Sequence, residues 1–242
     1  MPDIEWNREV WDQAHDWSKD GDEWSGMAEH CGQPYEAWKS ALVEEFLTPQ
    51  VQDKDVLEIA PGHGRFSQFI VPAARSTTLV DLSQTCLDAC QSLFADATNV
   101  TYVLTDGTSL PGVADESMDF VWSFDSFVHM ELPVIDAYLA EIARVLRPGG
   151  EFTIHHAGKR DWALKLAPAA HRIGRAGRVA LRLAGQGRLH DSGRRADVSR
   201  ERVAASLQSH GMTLTHQVQS WGSDGQYDVR KYGDWVTTGR KS

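Results

Sequence analysis

Three carboxylates stand at the ends of three successive apolar runs: Glu58 in DVLEIA (55–60), Asp81 in TTLVDL (77–82) and Asp106 just after TYVL (101–104). Between the first two lies the loop APGHG, which carries Gly62 and Gly64. Glycine permits a tight turn and removes the Cβ that would hold a ligand off the backbone. A helix start behind such a loop offers bare N–H groups and a partial positive charge. A second reactive set follows: SFDSFVHME places Asp125, His129 and Glu131 within seven residues, and EFTIHH (151–156) ends in His155 and His156. Histidine titrates near neutral pH, so it can take a proton from a bound hydroxyl while a carboxylate orients it. His129 is the first choice of base and His155 or His156 the second, because alternation lets only one of that pair face a site. Asp125 would orient the base or its substrate. In the alternative, Asp125, Glu131 and a histidine converge on Mg²⁺, which lowers the pKa of the hydroxyl instead.

The elements that must position these residues alternate. MDFVWSF (118–124) joins the strand-like runs, and SQTCLDACQSLF (83–94) and PVIDAYLAEIARVL (133–146) have helical spacing, the latter stopped by RPGG. Alternating strand and helix imply right-handed crossovers and a mostly parallel sheet covered on both faces. In such sheets, ligands lie beyond the carboxyl ends of the strands. Earlier in the chain, PYEAWKSALVEEFL (34–47) starts a helix at Pro34, with Tyr35, Trp38, Leu42 and Phe46 on one face. Trp6, Trp11 and Trp17 fit a helix loosely, and SKDGDEWSG breaks it. The tail predicts a helix over 199–211 with Ser199 as N-cap, then strands around 212–220 and 227–238.

Gly62, Gly64 and Ser67 match a dinucleotide fingerprint weakly, and Glu58 would repel a pyrophosphate. Three acids at three strand ends suit an adenosine with an amino-acid tail better. The run Val56–Gly64 resembles the first motif of class I S-adenosylmethionine-dependent methyltransferases, acid-x-Gly-x-Gly-x-Gly, with Ala60 in place of the first glycine and Pro61 stiffening the turn. Asp81, TDGTS and ARVLRPGGEFTIHH match further motifs in order, so the likeness covers roughly residues 50–160. It implies an α/β, Rossmann-like, seven-stranded, mostly parallel sheet with an antiparallel last strand and helices on both faces. Glu58, Ala60, Pro61, Gly62 and Gly64 would then hold the methionine end, Asp81 with Leu82 the ribose, and Asp106 with Gly107 the adenine edge. Ser123 and Trp24 complete the cofactor set.

GDEWSG, EIAPGHGRF, VDLS, FSFDSFVHME and IHH together also resemble bacterial methyltransferases of sugar and polysaccharide biosynthesis. That likeness implies O-methylation of a carbohydrate hydroxyl. Trp17 and Trp24 would stack on a pyranose or the adenine, or simply lid the cofactor with apolar area. The rivals are methylation of a phenol or carboxylate in a secondary metabolite, a cofactor-binding partner or sensor without catalysis, and an NAD-dependent oxidoreductase.

The 242 residues divide into an N-terminal helical lid (1–48), a cofactor-binding core (49–158), a basic helical insert that would cap the acceptor (159–198), and a helix with strands that completes the sheet (199–242). Net charge is −10 but uneven: residues 1–158 hold 8 Lys/Arg against 27 Asp/Glu, and residues 159–195 hold 10 against 2. Arg175, Arg178 and Arg182 share one helical face of the insert. They would recognise a phosphorylated or nucleotide-linked acceptor, dock on an anionic membrane surface, or neutralise the acidic body or a partner subunit. Nucleic acid fits poorly, because the acidic body repels it. Three cysteines, Cys31, Cys86 and Cys90, form neither a disulfide framework nor a zinc spacing, so reduced thiols and the cytoplasm are the default. The opening MPDIEWNREVWDQ is acidic and aromatic, which argues against a secretory or transit leader.

Overall fold

A computed structural model describes residues 4–17, 25, 28, 32–158, 172–174, 176–177, 179 and 197–242. Trp24, Cys31 and nearly all of the basic insert, with Arg175, Arg178 and Arg182, lie outside the described residues. Five parallel strands form the centre: β1 (Asp55–Ile59), β2 (Ser76–Asp81), β3 (Val100–Leu104), β4 (Met118–Phe127) and β5 (Leu146–Ala157). The large sheet runs in the order β3-β2-β1-β4-β5-β9-β6, with β6 at Met212–Val218 and β9 at Asp234–Lys241. The last strand, β9, is antiparallel to both of its neighbours, β5 and β6. This is the seven-stranded sheet the sequence predicts.

Central strands read as continuous apolar runs because both faces are covered. Leu57, Ile59 and Val121 join Tyr138, Leu139 and Ile142 of helix α6 (Leu132–Val145) in one core layer. Their neighbours Val56, Phe120 and Trp122 point the other way, to Trp38 and Leu42 of helix α2 (Tyr35–Leu42). The period-two alternation of a strand therefore splits one hydrophobic run between two layers. Pro34 caps α2 as expected, and the chain continues through a wider turn at Val43–Leu47 into α3 (Thr48–Val51). At the amino ends of the strands, Arg147 bonds Asp55 at 2.9 Å and Arg75 bonds Asp119 at 3.0 Å. Charge there ties β1 to β4 at the end remote from the glycine loop.

Two expected boundaries move. RPGG does not simply stop the helix: α6 ends at Val145, and these residues already belong to β5, with Leu146 opposite Met118 and Gly149 at φ 80. The predicted strand at 227–238 is two strands. β8 (Tyr227–Asp228) pairs with β7 (Ser220–Trp221), a turn closes at Gly233 with φ 71, and β9 then begins at Asp234. Trp221 anchors the small hairpin by donating its indole N–H to the Trp38 carbonyl at 3.1 Å. The tail helix, α7 (Arg200–Ser209), starts at Ser199, whose hydroxyl accepts the Arg202 N–H. Among the described residues no helix is long and apolar enough to cross a membrane.

Candidate active site

The loop after β1 turns back on itself through left-handed residues: Ala60 at φ 57, Gly62 at φ 58 and Gly64 at φ 86. Ala60, the departure from the family pattern, thus adopts the conformation a glycine would, held by its N–H bond to the Val80 carbonyl at 2.7 Å. Strain of this kind persists where surrounding bonds over-determine it. The turn brings Gly62 to the end of β2, where its N–H donates to Asp81 Oδ2 at 3.3 Å. Asp81 Oδ1 meanwhile accepts the Ser83 N–H at 2.9 Å, at the start of helix α5 (Gln84–Leu93). Burial pushes the Asp81 carboxyl up to about 6, against these backbone bonds that favour its ionised form. Cys90, from α5, donates its thiol to the Gly62 carbonyl at 3.3 Å. Cys86 and Cys90 are both buried thiols, as the spacing suggests.

Glu58 sits beneath the loop, 2% exposed, and accepts at 2.5 Å the hydroxyl of Ser67, the first residue of helix α4 (Ser67–Ile70). Desolvation dominates the neighbouring Arg65 charge and lifts the Glu58 carboxyl to about 8. In the ligand-free protein this group works against the fold as pH rises. Below the unfolded value of 4.5 both states are protonated, and between 4.5 and about 8 only the folded state keeps the proton. Stability therefore falls through that window, by up to ~1.4 kcal/mol per pH unit. Thermal melts of the ligand-free protein at pH 6 and pH 8 should show a larger drop for the wild type than for Glu58→Gln. Parallel drops in the two proteins would refute a buried, proton-holding Glu58.

Asp106 plays a different part from the other two acids. It is exposed, and its Oδ1 accepts the backbone N–H groups of Thr108 (2.8 Å) and Ser109 (3.0 Å). Those bonds hold its carboxyl below the usual range and shape the loop after β3. Gly107 follows at φ 93. Glu58, Asp81 and Asp106 stand near or just beyond the carboxyl ends of three adjacent parallel strands, β1, β2 and β3, so they share one neighbourhood.

Over this neighbourhood lies the N-terminal segment, made of helix α1 (Ile4–Glu9) and a wider turn at Val10–Ala14. With Trp17 it reaches the loops after β1, β2, β3 and β4. A Cβ on Gly107 would meet Ile4 at 2.8 Å, and one on Gly62 would meet the Trp17 ring at 3.2 Å. Asp12 accepts from the Ser83 hydroxyl and from the Thr85 N–H at the start of α5. Asn7 donates to the His129 carbonyl at 3.3 Å, and Trp17 stacks on His63 at 4.1 Å with 7° between the rings. Trp11 packs 5.3 Å from His129 and 4.8 Å from His15. Sequence reading marked the tryptophans but gave no role to Asp12, His15 or His63. Nothing in local spacing signals a contact between segments seventy residues apart, although His63 sits inside the glycine motif itself.

At the end of β4, Ser123 donates to the Ile59 carbonyl at 2.8 Å, which locks β4 to β1. Asp125 adopts φ 68, unusual for a residue with a side chain, and pairs with the Arg65 guanidinium at 3.3 Å. Arg65, which follows Gly64 in the glycine loop, is itself buried. The adjacent histidines point to opposite sides of the sheet, and both are fully buried. His155 lies flat on Phe124 at 4.3 Å and accepts the Asp125 N–H at Nδ1. His156 bonds the Ala157 carbonyl through Nδ1 and Thr237 Oγ1 through Nε2, both at 2.7 Å, and burial lowers it to about 4. His129 is half-buried and packs against the Trp11 ring. Glu131 begins α6 and accepts the Val134 and Ile135 N–H groups at its carbonyl. Among the described residues no group of three His, Cys, Asp or Glu is placed to hold a metal ion.

The chemistry of this set suits S-adenosylmethionine. A cation placed beside Glu58 would ionise a carboxyl that burial keeps protonated, and Asp81 at the β2 end can accept from a diol. Residues 56–150 match the family model described as the methyltransferase domain. Match and fold agree on the class: residues 56–150 are similar to a methyltransferase domain, and the seven-stranded sheet is one that solved methyltransferases share. Among curated proteins it is similar to a fatty-acid O-methyltransferase of Mycolicibacterium smegmatis, 34% identical over 49% of this chain and 44% of that protein. It is also similar to a malonyl-[acyl-carrier protein] O-methyltransferase of Methylococcus capsulatus, 33% identical over 45% of this chain and 39% of that one. The chain thus spans less than half the length of either relative. Among solved structures, a methyltransferase in complex with the Trm112 activator of Haloferax volcanii shares the fold, with a TM-score of 0.61 and 19% identity over 93% of this chain and 95% of that one.

Proposed function

We propose that the protein transfers a methyl group from S-adenosylmethionine to a hydroxyl of a carbohydrate-like acceptor. When bound, the cofactor supplies an electrophilic methyl; the protein's part is to align the acceptor and manage one proton. Glu58 and the loop backbone at residues 60–65 hold the amino-acid end, Asp81 with Leu82 takes the ribose, and Gly107 with the loop shaped by Asp106 borders the adenine. Residues 1–48 act as the lid, 49–158 as the cofactor core, 159–198 as an acceptor cap, and 199–242 complete the sheet.

One observation carries the hydroxyl reading: the buried Arg65 paired with Asp125, four residues before His129 in the chain. The pair offers one donor and one acceptor to neighbouring oxygens of a polyol, and Asp125 opposes a carboxylate in that place. A protonated hydroxyl is a weak nucleophile, so a base is required. His129 fills that role, because His156 has both ring nitrogens bonded and His155 has its Nδ1 lone pair bonded. Arginines of the insert would take a phosphate carried by the sugar. The two O-methyltransferase relatives favour a second reading, in which the acceptor is the carboxyl group of an acyl chain.

Incubation with methyl-labelled cofactor separates these readings. Sugar nucleotides and glycan extracts form one arm, fatty acids and acyl-carrier thioesters the other, each run with and without chelator. Alkali-stable methyl ethers on sugars support the hydroxyl reading. Alkali-labile methyl esters overturn it, and loss of turnover in chelator would restore the magnesium alternative built on Asp125 and Glu131.

A further inference from the structure

Between Ser123 and Phe127, β4 places three residues, Phe124 to Ser126, opposite the single β5 residue His155. A bulge of this kind takes backbone N–H groups out of the ladder, and a buried one needs another acceptor. The Asp125 N–H finds that acceptor in the imidazole of the facing residue, His155 Nδ1, at 3.2 Å. Asp125 needs such support, because its left-handed φ of 68 is unfavourable for a residue bearing a Cβ.

His155 is itself fixed from three sides. Its ring is fully buried, it lies against Phe124 with 16° between the planes, and its Nε2 faces the buried Asp234 carboxylate of β9 at 3.9 Å. A backbone N–H can only donate, so Nδ1 carries a lone pair and the single ring proton is on Nε2, toward Asp234.

We infer that His155 is a positioning residue: a neutral imidazole that holds the β4 bulge, so that the Asp125 carboxylate stays aimed at the acceptor beside Arg65. The inference rests on the reading of Asp125 and Arg65 as the acceptor-binding pair and names what keeps that pair in register. It also separates two adjacent histidines. His156 fastens β5 to β9 through Thr237, whereas His155 governs the end of β4.

Nitrogen NMR on histidine-labelled protein, with and without S-adenosylhomocysteine, tests it together with two variants. His155→Phe keeps the ring and its stacking but removes the acceptor; His155→Asn sets a carbonyl oxygen near the Nδ1 position. The wild-type His155 Nδ1 should give the signal of an unprotonated, hydrogen-bonded nitrogen that stays constant from about pH 5.5 to 8. Hydrogen exchange at the Asp125 amide should be roughly 10-fold faster in the phenylalanine variant, and within about threefold of wild type in the asparagine variant. With an acceptor in hand, the phenylalanine variant should raise KM for that acceptor while leaving the acid limb of the pH profile unmoved. A protonated or titrating Nδ1, or equal protection of the Asp125 amide in the phenylalanine variant, overturns the inference. Should His155→Phe fail to fold, the wild-type nitrogen spectrum still decides. Failure to bind S-adenosylhomocysteine would instead strike at the methyltransferase reading, and the ligand-free spectra would judge His155 independently.

Discussion

Asp81→Asn should bind S-adenosylhomocysteine about 100-fold more weakly than the wild type by titration calorimetry. The carboxylate would accept two ribose hydroxyls, and hydrogen bonds to a charged group contribute about 1.5–3 kcal/mol each. Asparagine is the informative replacement because Asp81 already serves the protein's own backbone. Its two oxygens accept the Gly62 and Ser83 N–H groups, so Asp81→Ala would loosen the glycine loop as well as remove the ribose contact. The amide keeps one acceptor oxygen and most of the shape.

A pH series adds a second reading of the same group. Burial sets the Asp81 carboxyl at about 6 in the ligand-free protein, and a diol is better received by the ionised form. Loss of the Glu58 proton on binding gives both proteins a slope below about pH 8, and the wild type should show an additional slope of up to about one decade per pH unit below 6, as protonation of Asp81 competes with binding. The asparagine variant should lack that additional slope. Variant affinity within about threefold of wild type would remove the ribose role from Asp81.

What the sequence discloses and what it withholds follow from the range of the interactions involved. β1, β2 and β4 are legible because burial on both faces forces runs of apolar residues, and the glycine loop is legible because its conformation restricts residue type. Ala60 shows the limit of that rule: a left-handed turn survived a β-carbon, because the Val80 carbonyl and the Asp81–Gly62 bond hold the loop from outside. The split of the predicted 227–238 strand escaped notice because Tyr227–Asp228 and Asp234–Lys241 share one strand-like composition. Only the turn at Gly233 and the Trp221 anchor separate them. Asp12, His15 and His63 were illegible as site residues for a stronger reason. Asp12 meets Ser83 and His63 meets Trp17 across long stretches of chain that no periodicity encodes, and His15 packs against Trp11 and Trp17 of that same segment. The bulge at Asp125 is of the same kind, since it appears only when β4 and β5 are set side by side.

His129 carries the remaining large effect, and its size distinguishes the two acceptor chemistries. With a hydroxyl acceptor, His129→Gln should lower kcat by ~10²–10³-fold, the usual contribution of a positioned base. S-adenosylhomocysteine affinity should stay within about threefold, because the proposed cofactor contacts fall to Glu58, Asp81 and Gly107 and not to His129. Glutamine is preferred to alanine, since Trp11 packs 5.3 Å from the imidazole and Asn7 bonds the His129 carbonyl, so a cavity there would also disturb the lid. Added imidazole should restore part of the rate in a smaller His129→Gly variant, and the acid limb of the wild-type pH profile should vanish in both. A carboxylate acceptor is already ionised at neutral pH and has no proton to surrender. On that chemistry the same substitution would change kcat by less than about fivefold, with no change of pH profile. Catalysis indifferent to His129 would therefore assign the Arg65–Asp125 crevice to a carboxyl group, with Arg65 turning from Asp125 to the acceptor.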